Sequence, residues 1–318
     1  MIEHGGDLAA ATERYGIAAS HWLDLSTGIS PFAYPVGELA RDAWRRLPSP
    51  SVALREAAEE YYGTDALEPM PGSQAAIDLL PRLIGAGSVA IEAPAYAEHE
   101  RRWHDAGATI TRSTEDPVDV VVVCNPNNPT GRVYSTPALL ALHSRQAARG
   151  GWLVLDEAFV DTEPALSLAP HAGEPGLVVL RSFGKFFGLA GVRLGFLFAP
   201  PALLKRARDA LGPWAVSGPA LAIAEKALAD RDFHAATRLR LKEASVRLCA
   251  LLAQHEHRVA GSTDFFVWVR HPKPRAFQER LAHKGILVRA FDEPPSLRFG
   301  LPGEENEWRR LDEALAAL

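Results

Sequence analysis

Lys185 lies between two apolar stretches, Leu177 to Leu180 and Leu194 to Phe198, with aromatic residues and glycines on both sides. An ammonium held there loses part of its hydration. Desolvation lowers an amine's pKa and makes it a usable nucleophile toward an aldehyde cofactor. Ser182 precedes it by three residues and Arg193 follows by eight, and both side chains are able to meet a phosphate oxygen. Gly184, Gly188, Gly191 and Gly195 allow close approach of backbone to a ligand. A second phosphate signal is Pro71-Gly72-Ser73-Gln74, a glycine turn that opens an apolar helix. Such a helix start presents N–H groups and the positive end of the helix dipole. Residue types alone leave both stretches open to a plainer reading, a loop lysine and an ordinary turn with its cap.

Two further stretches sit where chemistry is expected in a strand-helix chain. Asn125-Pro126-Asn127-Asn128-Pro129-Thr130-Gly131 follows the β-branched run Val120 to Val123, and Asp156-Glu157-Ala158-Phe159 follows Trp152 to Leu155. A continuously apolar, β-branched run fits a central parallel strand buried on both faces. Strand and helix patterns alternate from Ser88 to Phe198, which predicts a doubly wound α/β sheet. Ligand groups belong at the carboxyl ends of such strands, and Asn128 and Asp156 fall there.

The elements that must position these groups read as follows. Helices are expected over residues 7–15, within 36–62 (interrupted at Pro48-Ser49-Pro50), and over 75–84, 97–106 and 136–149. A short strand ending in a glycine-bearing turn is expected within 23–31, and further strands over 88–92, 108–112, 118–124, 152–155, 177–180 and 194–198. After Pro200 helices dominate to His255 with a break at Gly212-Pro213-Trp214, and short strands follow at 265–270, 286–291 and 297–301. This predicts a large domain over 31–205 and a smaller α+β domain made of 1–30 and 206–318.

Composition bounds the function. With 318 residues, 47% apolar and 23% charged, the chain has ordinary globular make-up. A net charge of −5 gives no electrostatic support to nucleic-acid or membrane-surface binding. Two cysteines, Cys124 and Cys249, make neither a disulfide framework nor a cysteine-rich zinc site, and no metal is expected. The first residues carry no basic start and no apolar stretch, so no signal peptide is expected. No window reaches the roughly 18 uninterrupted apolar residues of a membrane helix. The expected location is the cytoplasm.

Taken in order, the asparagine loop, Asp156-Glu157-Ala158-Phe159 and Arg181 to Gly195 resemble the fold-type I pyridoxal-phosphate enzymes, the aspartate aminotransferase superfamily. The resemblance covers essentially the whole chain. It implies pyridoxal 5'-phosphate as cofactor, with Lys185 the catalytic lysine. By the same resemblance Asp156 pairs with the pyridine nitrogen and Asn128 with the ring's phenolic oxygen, while Tyr96 stacks on the ring. Gly72, Ser73, Gln74, Ser182 and Arg193 then hold the phosphate. Arg298, in Ser296-Leu297-Arg298-Phe299-Gly300, matches the arginine that clamps a substrate carboxylate, and Arg289 matches a second one used with phosphorylated substrates. The turn bearing Gly28 would line the substrate site, and a homodimer is usual in the superfamily.

Within it, Glu3-His4-Gly5-Gly6, Trp22 to Gly28 and Gly212 to Ser217 are similar to the threonine-phosphate decarboxylases of cobalamin biosynthesis. That implies conversion of L-threonine O-3-phosphate to (R)-1-amino-2-propanol O-2-phosphate, with His4 and Arg289 on the substrate phosphate. An aminotransferase of the histidinol-phosphate type, and a non-catalytic binding protein of the same fold, stay open at this level. Phe159 and Leu47 depart from the superfamily, which often has tyrosine at both places.

Overall fold

The computed structural model describes residues 5–318. Among these the strands are β1 (Leu23–Leu25), β2 (Leu67–Met70), β3 (Ser88–Ile91), β4 (Thr109–Thr111), β5 (Val120–Cys124) and β6 (Trp152–Asp156). They continue with β7 (Leu177–Ser182), β8 (Gly195–Phe198), β9 (Val259–Thr263), β10 (Phe266–Arg270), β11 (Ile286–Phe291) and β12 (Ser296–Gly300). The α-helices are α1 (Leu8–Tyr15), α2 (Asp42–Arg45), α3 (Val52–Tyr62), α4 (Ser73–Ile84), α5 (Ala97–Asp105) and α6 (Thr136–Ala147). After them come α7 (Phe183–Phe186), α8 (Pro201–Leu211), α9 (Gly218–Ala229), α10 (Arg231–Gln254), α11 (Pro274–Ala282) and α12 (Glu305–Ala316). No helix among the described residues is long and apolar enough to cross a membrane.

The chain divides into two compact units, one of residues 33–128 and 133–236, the other of 1–32, 129–132 and 237–318. The first holds a seven-stranded sheet in the order β2-β8-β7-β6-β5-β3-β4. All neighbours are parallel except β8, which runs antiparallel to both β2 and β7. Every residue of β5 is buried, as a strand covered on both faces requires. Side chains alternate across a strand. Val120, Val122, Val154, Val178 and Leu180 therefore share one face, where they pack with Ile77, Leu80 and Leu83 of α4, Trp103 of α5, and Leu203 and Leu204 of α8. The same parity carries Cys124, Asp156 and Ser182, at the carboxyl ends of β5, β6 and β7, to that face. Glu157 and Arg181 fall on the other.

The second unit is a five-stranded sheet, β1-β11-β12-β10-β9, in which only β1 and β11 pair in parallel. Ala11 of α1, Trp22 and Ala282 of α11 form a satellite core with Leu8 and Tyr15 packed against it.

Three differences from the sequence reading have local causes. Residues 206–236 group with the seven-stranded sheet, so the division falls after Ala236 and not after residue 205. The apolar face of α8 packs on α4 and β2, and α9 packs on α2 and α3. Residues 36–41 are not helical, and the helix begins only at Asp42; Gly37 takes a left-handed conformation at φ 62°. Strands β2 and β9 carry weak strand signals, one containing Pro69 and the other Gly261, and both lie at sheet edges where such residues are tolerated.

Candidate active site

In the first unit, Asp156 ends β6, opposite Cys124 of β5 in the parallel register. Asp156 is 6% exposed. Oδ1 accepts the backbone N–H of Ala158 at 3.1 Å, and Oδ2 is 2.8 Å from Nε2 of His99. His99 is itself buried, on the first turn of α5. Burial alone would pull its pKa down. Hydrogen bonds to Asp156 and Cys124 override that and raise it to about 10. The sequence reading did not single out His99. The available signal was its place three residues after Tyr96, one helical turn away on the same face.

Tyr96 caps α5, and its ring meets that of His99 edge-on at 6.1 Å. Its hydroxyl donates to Oε1 of Gln74 at 3.1 Å, while Nε2 of Gln74 donates to Asp78. Burial first, then the charge of Asp156, push the phenol up to about 12, so it stays neutral.

The phosphate-type groups converge from three segments. Helix α4 starts at Ser73 after Gly72, which supplies no side-chain cap, so the amides of Ser73 and Gln74 point out of the helix end. Arg193 is left-handed (φ 55°, ψ 54°), a conformation rare outside glycine. Its guanidinium lies over Gly72, where an added Cβ would come within 2.9 Å of Nη2. Gly195 pairs with Ser182 across β7 and β8, and a Cβ there would stand 2.5 Å from the amide nitrogen of Ser73. Backbone contact at 195 brings the start of α4 against the end of β7.

Ser182 leads directly into the short helix α7, which bears Lys185. The ammonium lies 5.7 Å from the ring centroid of Phe159, three residues beyond Asp156. Asn128 sits half-buried in the turn after β5. Asn125 holds that loop by accepting from Tyr134 N at 2.8 Å and donating to Tyr134 O at 3.3 Å. Phe159 is buried, without a hydroxyl, and Leu47 is 68% exposed.

The donor set fits pyridoxal phosphate. It contains an amine, a buried carboxylate hydrogen-bonded to a buried histidine, and an arginine over a helix N-terminus that Gly72 opens and that the backbone of Gly195 approaches closely.

In the second unit Arg298 of β12 is 7% exposed and donates to the carbonyl of Ser26 at 2.7 Å, with its guanidinium 5.1 Å from the Phe266 ring centroid. Arg289 of β11 stands directly opposite it in the ladder. Arg289 also borders a cavity of about 550 Å³ lined by Gly5, Gly6, Arg14, Ser26 and Gln278 among others. Gly6 N donates to Ser26 Oγ at 2.8 Å, and a Cβ on Gly5 would collide with the Ser26 carbonyl, so this segment lies tightly on the loop after β1. Gly28 is buried in the same loop. His4 lies outside the described residues.

Comparison with known proteins shows the family and the fold. Residues 38–316 match the family described as aminotransferase class I and II. The chain is 48% identical over 99% of its length to a threonine-phosphate decarboxylase of Pseudomonas aeruginosa, covering 97% of that protein. It is 45% identical to another from Sinorhizobium sp, covering 100% of this chain and 98% of that one. Among solved structures, histidinol-phosphate aminotransferase from Sinorhizobium meliloti in complex with pyridoxal-5'-phosphate superposes with a TM-score of 0.85 at 22% identity, covering 99% of this chain and 96% of that one. The L-threonine-O-3-phosphate decarboxylase of Porphyromonas gingivalis gives 0.78 at 22%, covering 92% and 98%. The structural likenesses establish the fold, and the full-length identities place the chain within it: it belongs to the class I and II aminotransferase family, among the threonine-phosphate decarboxylases.

Proposed function

We propose that this chain is a pyridoxal-phosphate-dependent carboxy-lyase that converts L-threonine O-3-phosphate to (R)-1-amino-2-propanol O-2-phosphate and carbon dioxide in cobalamin biosynthesis. The observation that carries the reading is the opposition of Arg289 and Arg298 on β11 and β12, with Arg289 bordering a cavity in the same unit. Two guanidiniums side by side suit a substrate with two anionic groups, a carboxylate and a phosphate. The full-length decarboxylase relatives support the same choice.

When bound, pyridoxal phosphate supplies a conjugated ring that accepts the electron pair left at Cα as carbon dioxide departs. Asp156, hydrogen-bonded to His99 at the strand end, would pair with the ring nitrogen. The Ser73 and Gln74 amides, Ser182 and Arg193 would hold the cofactor phosphate, with Tyr96 and Asn128 as the groups toward its ring. Arg298 takes the substrate carboxylate. Arg289, with His4 and the Gly28 loop, takes the substrate phosphate and thereby turns the carboxylate to the orientation from which it leaves. Lys185 returns a proton to Cα.

The reading includes a cytoplasmic homodimer. The large apolar side chains Trp44, Leu47, Val52 and Trp214 are each more than half exposed, which supports a second copy as their cover. Both cysteines are free thiols, in keeping with a reducing compartment.

The test is product analysis on cofactor-loaded protein given L-threonine O-3-phosphate and no keto acid. Sustained release of carbon dioxide with equal aminopropanol phosphate is expected. A single turnover that leaves the cofactor in its pyridoxamine form would overturn the reading in favour of transamination.

A further inference from the structure

On the sheet face opposite Asp156 and Ser182 lies a second charged cluster, which the proposed chemistry does not use. Arg181 is 3% exposed, Asp161 3% and Glu157 fully buried. Arg181 Nη2 donates to Asp161 Oδ1 at 2.5 Å; Nη1 donates to Ser167 Oγ at 3.3 Å and is 3.7 Å from Glu157 Oε2. Ser167 donates its hydroxyl to Glu157 at 2.5 Å, and the Leu168 N–H donates to the other carboxylate oxygen at 2.8 Å. Tyr61 donates to Asp161 at 2.7 Å, and the Arg181 guanidinium lies 4.9 Å from the Tyr62 ring centroid.

The backbone places this cluster one peptide from the cofactor groups. Glu157 follows Asp156, and Arg181 precedes Ser182. Glu157 N donates to Leu180 O at 2.9 Å, carrying the ladder one residue past the end of β6. Successive side chains point to opposite faces of a sheet. A shift in the pleat or register of either strand end therefore moves the front and rear groups together.

We propose that Arg181, with Asp161 and Glu157, is a positioning unit that clamps the ends of β6 and β7 from behind and so sets Asp156 and Ser182 for the cofactor. This rests on the assignment of those two residues to the cofactor given above. The clamp also has a proton of its own. Burial raises the Glu157 carboxyl to about 7, against the pull of Arg181 and the Ser167 and Leu168 hydrogen bonds. Facing it are Arg181, Asp161, Ser167 and the neutral phenols Tyr61 and Tyr62. Titration of Glu157 would change the charge that faces Arg181.

The experiment uses the full-length protein with Asp161→Asn and Glu157→Gln, both isosteric. It measures the thermal midpoint of the apo form, the Kd for pyridoxal phosphate from pH 6 to 8 well below that midpoint, and the 31P resonance of the bound cofactor. Asp161→Asn is expected to weaken cofactor binding about tenfold or more and to shift the 31P resonance. Glu157→Gln is expected to remove an inflection near pH 7 from the Kd profile. Lowered thermal midpoints with wild-type Kd, 31P shift and pH profile would overturn the proposal and leave the cluster a purely structural one. If Asp161→Asn fails to fold, the Kd and the 31P shift of Glu157→Gln decide. Failure of the unsubstituted protein to bind pyridoxal phosphate would instead remove the cofactor assignment, and this proposal with it.

Discussion

Arg289 of β11 and Arg298 of β12 face each other directly across an antiparallel ladder. Like charges in that position are destabilising. Their neighbours offset part of this: Arg298 holds the Ser26 carbonyl and lies against Phe266, and Arg289 lies 5.5 Å from the Phe291 ring centroid. A bound dianion would offset more. Arg289→Ala is therefore expected to lower kcat/KM for threonine phosphate by roughly 30-fold to 1000-fold, the usual range for losing a charge-assisted contact. The thermal midpoint should hold or rise slightly. Steady-state carbon dioxide release and a melting curve check both, and an unchanged kcat/KM would remove Arg289 from phosphate binding.

The His99–Asp156 pair predicts a pH dependence of stability. The imidazolium is favoured in the folded state, with a pKa of about 10 against an ordinary value of 6.5. Its contribution is complete below pH 6.5 and is lost as pH rises toward 10. His99→Phe should destabilise the apo protein by about 3–5 kcal/mol at neutral pH by leaving a buried carboxylate uncompensated. The gap from wild type should narrow as pH rises through that window. Denaturant titrations at pH 6, 8 and 10 measure it, and a gap that stays constant would mean the ring is neutral.

Gly195→Ala tests the phosphate cradle. The added methyl would stand 2.5 Å from Ser73 N and 2.7 Å from Arg181 O, both backbone atoms that cannot swing away. Overpacking of this kind costs about 1–3 kcal/mol. The loss should fall mainly on pyridoxal phosphate and much less on pyridoxal, which lacks the phosphate. Comparing the two affinities in wild type and variant gives the answer, and an equal loss for both would place the phosphate elsewhere.

Lys185→Ala should reduce decarboxylation by at least roughly 10²–10⁴-fold, the usual contribution of a positioned proton-transfer group. The fold should survive, because Lys185 is only half-buried and its neighbours Phe183, Phe186 and Phe187 carry the packing. Circular dichroism alongside the assay separates the two effects, and residual activity within tenfold of wild type would exclude Lys185 as the proton donor.

Much of this protein was already determined by sequence. The β-branched run Val120 to Val123 dictates a central strand, strand-helix alternation dictates the doubly wound sheet, and the end of each strand locates Asn128, Asp156 and the Ser182–Lys185 segment. These are local properties, set by side-chain period and by glycine and proline placement, so reading along the chain recovers them. Contacts across the chain are another matter. His99 meets Asp156 at a separation of 57 residues, because α5 packs on β3, β4 and α4 and so brings its first turn to the end of β6. Arg181 finds Asp161, Glu157 and Tyr61 only because pleating turns it away from the face that bears Ser182. The grouping of α8 and α9 with the large sheet, and the opposition of Arg289 to Arg298, depend on which apolar faces meet and on hairpin register. Sequence period determines which face of an element is apolar, but the partner of that face, and so the neighbours of each charge, is decided only when the layers pack.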